Sequence, residues 1–258
     1  MARFTDKVVI VTGGARGIGA KTAECIVDEG GRVLIADTNE DLGHELAGRL
    51  GGNARFAKVD VTDPAACKMA VDVAARDLGG LYGLVNSAIR MAPGPMKDLS
   101  LSDWNTVISV GLTGTFLMSQ AVGRWLIEND RKGAIVNISS NGGLSPYSMS
   151  GAYSTTKAAV IMLAEHMGLE WAPKGVRVNA VCPAHTETPL TAYLQDPEIR
   201  RGRDEVTPLK RVAQPIDVAN AILFLLSEEA SYITATALKV DGGLSVSVMN
   251  HLPGRKWQ

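Results

Sequence analysis

The stretch Val8-Val9-Ile10-Val11-Thr12-Gly13-Gly14-Ala15-Arg16-Gly17-Ile18-Gly19 joins a short β-branched run to glycines at the spacing GxxxGxG. Gly13, Gly17 and Gly19 let the chain turn sharply and bring backbone N–H groups against a pyrophosphate, and Arg16 and Ile18 lie in the same turn. The helix that follows points the positive end of its dipole at the same anion. A plain strand–helix connection is the alternative, but the position after the first strand of a βαβ unit favours a dinucleotide-binding turn.

Beyond this turn, short β-branched runs alternate with helix-patterned stretches. The strands are apolar on both faces, as expected when helices cover both sides of a parallel sheet. The pattern predicts an α/β fold, a Rossmann-type doubly wound parallel sheet of about seven strands with helices on both faces. The predicted strands are 7–11, 32–36, 54–59, 82–86, 133–138, 175–181 and 237–240, and the predicted helices are 17–29, 40–50, 64–78, 102–129 and 151–172.

The chain of 258 residues predicts a single dinucleotide-binding catalytic domain over 1–258. Its polar segment 184–214 carries Pro189, Pro197 and Pro208, and we expect it to be a lid over a bound ligand, with a surface loop as the alternative. Residues 244–258 form a predicted C-terminal tail, which either covers a neighbouring subunit's site or frays.

Composition excludes several classes of function. The net charge is −1 with no block of like charges, so neither a nucleic-acid footprint nor a basic membrane-binding face is expected. No apolar run approaches ~18 residues, which argues against a membrane span. Three scattered cysteines without a CxxC pair, and a first strand too early for a signal peptide, predict a cytoplasmic protein. His185-Thr186-Glu187 resembles a zinc-deaminase fragment, but no PCxxC accompanies it, so no metal site is expected.

Carboxylates at two strand ends indicate which dinucleotide binds. Asp37 closes the second strand, where it can accept both ribose hydroxyls of an adenosine and would repel a 2′-phosphate. We therefore expect NAD, although Arg16 would offset part of that repulsion and leaves NADP as the alternative. Asp60 and Val61, after the third strand, can close over the adenine through a side-chain oxygen and a backbone amide. A helix-start role for Asp60 is the other reading.

Tyr153 and Lys157 stand four apart on a predicted helix, and Ser140 closes the fifth strand. A lysine ammonium ~4 Å from a phenol, at an effective dielectric of ~20, supplies the about 4 kcal/mol needed to bring the phenol pKa from ~10 to ~7. We expect Lys157 to lower the Tyr153 pKa in this way and to hold the nicotinamide ribose. Tyr153 would then be the general acid/base, with Ser140 hydrogen-bonded to the substrate oxygen.

These motifs, with Asn86 and Asp241-Gly242-Gly243, resemble the short-chain dehydrogenase/reductase family over roughly residues 5–245. The resemblance implies a homotetramer, Ser–Tyr–Lys chemistry, and hydride transfer between a nicotinamide cofactor and a secondary alcohol or ketone. It also implies further cofactor contacts after the fourth and sixth strands, namely Asn86, Ala88, Pro183, Thr186 and Thr188.

Three positions depart from the family pattern. Gly111 replaces an asparagine whose backbone carbonyl holds a proton-relay water in the family, Ile89 replaces the glycine of NNAG, and Ala184 replaces the glycine of Pro-Gly. We expect a weakened or rerouted relay in an active enzyme. A nucleotide-sensing protein that has lost catalysis is the rival reading.

The substrate is expected to be a hydrophobic cyclic or aromatic small molecule, because three apolar segments flank the predicted site. These are Met91 to Met96, Leu144 to Met149 and Leu190 to Leu194, with Tyr147 and Tyr193 adding polar tips. Ordinary packing explains such residues equally well. For His185, a structural role is favoured over substrate contact.

Overall fold

The computed structural model describes residues 2–247 of the chain, within which seven parallel strands form one sheet in the order β3-β2-β1-β4-β5-β6-β7. The order reverses between β1 and β4, so the sheet is doubly wound, as predicted. The strands are β1 (Val8–Thr12), β2 (Arg32–Asp37), β3 (Ala54–Lys58), β4 (Gly83–Asn86), β5 (Gly133–Ile138), β6 (Val176–Pro183) and β7 (Ala237–Val240).

Helices cover both faces of this sheet, because side chains alternate along each strand. The helices are α1 (Gly17–Asp28), α2 (Glu40–Leu50), α3 (Pro64–Asp77), α4 (Leu101–Ile108), α5 (Gly114–Glu128), α6 (Asn141–Leu144), α7 (Tyr153–Trp171), α8 (Pro197–Val206) and α9 (Pro215–Leu226). Ile10 and Leu34 face a core cluster covered by α3, α5 and α7, while Val9 and Ile35 face one covered by α1, α2 and α9.

The predicted boundaries agree closely with the observed ones, and the largest strand difference is at β6, which ends at Pro183. The exception is the predicted helix 102–129. It consists of α4 and α5 joined by a π-helical turn, Ser109–Thr113, with Gly111 buried inside it. The segment 184–214 holds a short 3₁₀ helix, Pro189–Gln195, followed by α8.

One helix bears on the expectation that no segment spans a membrane. By length and composition alone, Leu101–Glu128 is long and apolar enough to cross one. Met118, Val122 and Leu126 on this helix are fully buried against the sheet. Its apolar character is therefore that of a core helix in an α/β domain.

The carboxyl ends of the strands meet at one edge, where the functional residues gather. Thr12, Asn86, Ile138 and Pro183 end four strands that are neighbours in the sheet. The predicted C-terminal tail, residues 244–258, falls mostly on residues 248–258, which lie outside the described residues.

Candidate active site

A cavity of about 350 Å³ opens at the carboxyl edge of the sheet. It brings together the glycine turn, the ends of β2, β5 and β6, and the first turn of α7. The predicted residues that line it are Gly13, Arg16, Gly17, Ile18, Asp37, Asp60, Val61, Ala88, Ser140, Tyr153, Lys157, Pro183, Thr186 and Thr188.

The glycine turn has the geometry that an anion needs. Gly13 and Gly17 have φ of 59° and 60°, and a Cβ on Gly13 would lie 2.8 Å from the Ala88 nitrogen. The N-cap of α1, Arg16, makes no side-chain capping bond, and the first turn carries no acidic residue. The N–H groups at this helix start are thus left for a ligand, which fits the pyrophosphate of a dinucleotide.

Two predicted cofactor residues do not line the cavity. A Cβ on Gly19 would overlap the Gly13 carbonyl oxygen, so Gly19 allows the helix to pack closely on the turn. Asn86 is buried, and its Nδ2 donates to Ser119 Oγ and to Asn137 Oδ1, both at 2.9 Å. Asn86 therefore ties β4 to β5 and α5 beneath the site.

Backbone N–H groups hold both acidic residues in place. Asp37 accepts from the Ala15 nitrogen at 3.1 Å and from the Asn39 nitrogen at 3.0 Å. Asp60 accepts from the Thr62 nitrogen at 2.9 Å and its hydroxyl at 2.7 Å, and these bonds hold the Asp60 pKa below its usual range. The helix-start role that was the alternative for Asp60 belongs to Asp63, which caps α3.

Ser140 and Tyr153 meet at the base of the cavity. Ser140 lies two residues beyond the end of β5 and caps α6, accepting from the Gly142 nitrogen at 3.0 Å and donating to Asn141 Oδ1 at 3.2 Å. Tyr153 is the first residue of α7. Burial raises the pKa of Tyr153 to about 12, and its hydrogen bond to Ser140 acts in the opposite direction.

Lys157 lies one turn further along α7 and is buried. Its Nζ donates to the Ile138 carbonyl at 2.6 Å and lies 5.7 Å from the centroid of the Tyr153 ring. Burial lowers the pKa of Lys157 to about 8. The predicted lowering of the Tyr153 pKa by Lys157 is thus wrong for the protein by itself, because burial dominates and the ammonium faces the ring and a carbonyl.

The positions that depart from the family pattern cluster at this site. The π-helical turn around Gly111 leaves its carbonyl accepting from Thr115 Oγ1 at 2.8 Å, and the neighbouring Val110 lines the cavity. Ile89 and Ala184 also line it. The chain thus has Gly111 where the family pattern has asparagine, and the helix is distorted at this position all the same.

Six large side chains of the three segments predicted as substrate walls are exposed, and Leu190 among them lines the cavity: Met96, Leu144, Tyr147, Met149, Leu190 and Tyr193. Two of these segments are joined, since the Gly94 nitrogen donates to the Met149 carbonyl at 2.9 Å. The Tyr147 ring lies 6.4 Å from the Tyr153 ring, centroid to centroid. The segment Leu144 to Met149 thus lies close to the Tyr153 phenol, and the segment Met91 to Met96 is joined to it.

His185 is held by its neighbours and does not line the cavity. Its Nε2 lies 3.0 Å from Arg203 Nη1, and its Nδ1 lies 3.5 Å from the Tyr193 hydroxyl. Burial, with the Arg203 charge as a second cause, lowers its pKa to about 4, so the imidazole is neutral at pH 7. No group of three or more His, Cys, Asp or Glu suited to a metal occurs within residues 2–247.

Several cavity residues were not predicted from the sequence. Most adjoin predicted positions, so proximity along the chain was the available signal. Thr191 lies within the predicted wall segment Leu190 to Leu194, and its hydroxyl accepts from the Thr188 nitrogen at 3.0 Å and donates to the Thr186 carbonyl at 2.6 Å. The unpredicted lining residues are Thr38, Val59, Ser87, Arg90, Val110, Ile138, Ser139 and Pro189.

Comparison with known proteins now bears on this site. A family model described as enoyl-(acyl carrier protein) reductase matches residues 13–245. The structure titled a short-chain type dehydrogenase/reductase from Mycobacterium ulcerans superposes with a TM-score of 0.90 at 31% identity, covering 95% of this chain and 94% of that chain. The chain belongs to the short-chain dehydrogenase/reductase family.

Curated relatives in this short-chain dehydrogenase/reductase family are alcohol dehydrogenases. The 2,5-dichloro-2,5-cyclohexadiene-1,4-diol dehydrogenase of Sphingobium indicum is 38% identical, covering 95% of this chain and 99% of that protein. The 3-alpha-(or 20-beta)-hydroxysteroid dehydrogenase of Mycobacterium bovis is 39% identical, covering 93% and 90%. Cyclopentanol dehydrogenase of Comamonas is 38% identical, covering 96% and 100%. This chain is accordingly an oxidoreductase of small molecules that uses a nicotinamide cofactor.

Proposed function

We propose that this protein transfers a hydride between NAD(H) and a hydrophobic cyclic or aromatic secondary alcohol or ketone, with Tyr153 as general acid/base. The observation that carries the proposal is that Ser140, Tyr153 and Lys157 line the same cavity as the uncapped glycine turn. One cavity thus offers an anion site at one end and a proton donor at the other.

The chemistry follows from the protonation states that burial favours. A phenol with a pKa of about 12 stays protonated at pH 7, which is the form that donates a proton to a ketone oxygen. Ser140 donates a hydrogen bond to the same oxygen as negative charge develops. When bound, a nicotinamide cofactor supplies the hydride acceptor or donor, and the positive charge of its oxidised ring favours the phenolate needed for alcohol oxidation.

The cofactor is proposed to be NAD. Asp37 lines the cavity at the end of β2, and bonds from the Ala15 and Asn39 amides fix its carboxylate there. A fixed carboxylate suits ribose hydroxyls and opposes a 2′-phosphate. Arg16 also lines the cavity and keeps NADP as the alternative cofactor.

The substrate class is supported by two independent features. The three wall segments expose six large side chains, of which Leu190 lines the cavity and Tyr147 lies beside Tyr153, and this suits an apolar ring. The names of the relatives refer to a cyclohexadiene diol, a hydroxysteroid and cyclopentanol, each a ring compound. We propose that the lid over 184–214 closes on such a ring.

The remaining proposals concern the whole protein. We propose one catalytic domain over 1–258, active as a cytoplasmic homotetramer without nucleic-acid or membrane partners. Met162 and Leu169, 63% and 73% exposed, lie on one face of α7 and suit a subunit contact. Cys67 and Cys182 are buried free thiols, which suits a reducing compartment.

Purified protein mixed with NAD and cyclopentanol, cyclohexanol or a hydroxysteroid should generate reduced nicotinamide, measured by its absorbance. The same protein should give little signal with a sugar or a short hydroxy acid.

A nucleotide-sensing role is the second candidate, because Gly111 replaces the family's asparagine. Tight NAD binding without turnover of any alcohol or ketone would favour that role and reject the enzyme.

A further inference from the structure

Three separate elements touch around Gly111. The residue is buried within the π-helical turn between α4 and α5. On one side lies Ile89, in the segment that follows β4, and on the other lies Thr156 of α7. Thr156 is fully buried, and in the sequence it lies three residues after Tyr153 and directly before Lys157. The residue that faces Gly111 therefore belongs to the helical turn that carries both side chains.

No room remains for a side chain at position 111. A Cβ there would lie 2.7 Å from Thr156 Cγ2 and 2.8 Å from Ile89 Cδ1. Thr156 has little freedom to move away, because its Oγ1 donates to the Ala152 carbonyl at 2.9 Å within α7. The Ile89 side chain therefore takes the space beside the turn that a larger residue 111 would need.

We propose that Ile89 and Gly111 are a matched pair, in which Ile89 is a positioning residue that holds the π-helical turn against α7 and so sets the place of Tyr153. The two departures from the family pattern are then one change, with bulk moved from position 111 to position 89. The inference rests on the proposed function only in that Tyr153 is the group being placed.

The pair has a route to the chemistry that ordinary core packing lacks. Ile89 lines the cavity itself, and so does Val110, the neighbour of Gly111. On the far side of the contact, Thr156 belongs to the same helical turn as Tyr153. A displacement at Gly111 therefore passes to the phenol through a single packed layer, and close-packed interiors transmit such shifts.

The test adds and removes the atoms at this contact. Gly111→Ala adds the Cβ, Thr156→Ser removes Cγ2 but keeps the hydroxyl, and Ile89→Val removes Cδ1. In a Thr156→Ser background, Gly111→Ala should lower kcat for cyclopentanol by about tenfold to a hundredfold, with the KM for NAD changed by less than about twofold. Adding Ile89→Val should restore most of the lost kcat.

The matched control is Gly48→Ala, since a Cβ on this helical glycine meets nothing within 4 Å. It should leave kcat unchanged. Thermal midpoints of all variants separate folding from placement. If Ile89→Val restored the thermal midpoint but not kcat, the pair would be ordinary packing and the proposal would be overturned. The same holds if Gly111→Ala lowered kcat equally with and without Ile89→Val.

A readout independent of turnover keeps this proposal separate from the proposed function. In crystals of the Gly111→Ala variant, the Tyr153 hydroxyl should move by about 0.5 Å or more relative to Ser140, and should return when Ile89→Val and Thr156→Ser are added. An unmoved Tyr153 would reject the matched pair. Failure of the unaltered protein to oxidise any alcohol would reject the function alone.

Discussion

Lys157 is buried and Tyr153 is partly buried, and desolvation shifts the pKa of each in the direction that favours the neutral form. An acid with a raised pKa and a base with a lowered one suit proton transfer, since neither is held permanently charged. The site residues alone therefore favour a phenol that donates. Charge brought in with a substrate or cofactor is what would favour the phenolate.

Replacing Tyr153 should separate chemistry from binding. Tyr153→Phe removes the hydroxyl and keeps the ring, so we expect kcat to fall by about 10²-fold or more while the Kd for NAD stays nearly unchanged. Steady-state kinetics and NAD titration measure the two quantities. Tyr232→Phe is the matched control, because Tyr232 is fully exposed and belongs to none of the site segments. A Tyr153→Phe protein with ordinary kcat would contradict the assignment.

Asp37 should decide between the two nicotinamide cofactors. Asp37→Ala removes the carboxylate proposed to accept from the ribose hydroxyls, and charge-assisted hydrogen bonds contribute about 1.5–3 kcal/mol. We expect the KM for NAD to rise about tenfold or more, and more than the KM for NADP. Exposed Asp41, in the first turn of α2, offers the control Asp41→Ala. If the KM for NADP rose more, the cofactor would be NADP.

At the scale of elements, the loop after β6 depends on one hydroxyl. Thr191 Oγ1 joins the Thr188 nitrogen to the Thr186 carbonyl, and both threonines line the cavity. Thr191→Val keeps the shape but removes these part-buried hydrogen bonds, so the KM for NAD should rise by about tenfold. Thr191→Ser keeps the hydroxyl and should behave like the unaltered protein. Equal KM values for the two variants would show that the loop is held by other contacts.

The long helix shows where a periodic pattern fails to predict local structure. Apolar spacing over 102–129 predicts one helix, and the chain does continue as helix from Leu101 to Glu128. Buried residues recur every three or four positions on both sides of the π-helical turn, so the periodic pattern alone did not reveal the extra residue in it. Only the glycine at position 111, compared with the family pattern, pointed to that place.

For the molecule as a whole, the sequence predicted the sheet because its strands are buried on both faces and separated by helix starts such as Asp63-Pro64. It also predicted most of the cavity, since parallel strands bring their carboxyl ends to one edge. It did not predict the Tyr153 pKa, because burial of a phenol depends on loops that close over it in three dimensions. The contact between Ile89 and Gly111 was missed for the same reason.

Burial of Lys157 should also affect the stability of the whole protein as pH changes. Its pKa is 10.5 ordinarily and about 8 in the folded protein. Between these values the unfolded chain binds a proton that the folded chain has released, so the free energy of unfolding rises with pH, by about 3 kcal/mol over the full window. Tyr153, with a pKa raised from 10.0 to about 12, reverses this trend only above pH 10.

The effect of Lys157 should therefore be visible between pH 8 and pH 10, below the range in which ionisation of Tyr153 dominates. Urea unfolding at fixed protein concentration measures it, as the difference between the unaltered protein and Lys157→Met. The unaltered protein should gain about 2 kcal/mol relative to the variant over this interval, while groups common to both cancel. Lys174→Met, at an exposed position, should follow the unaltered protein. Parallel curves for Lys157→Met and the unaltered protein would mean that the lysine keeps its ordinary pKa, and that its burial does not favour the neutral amine.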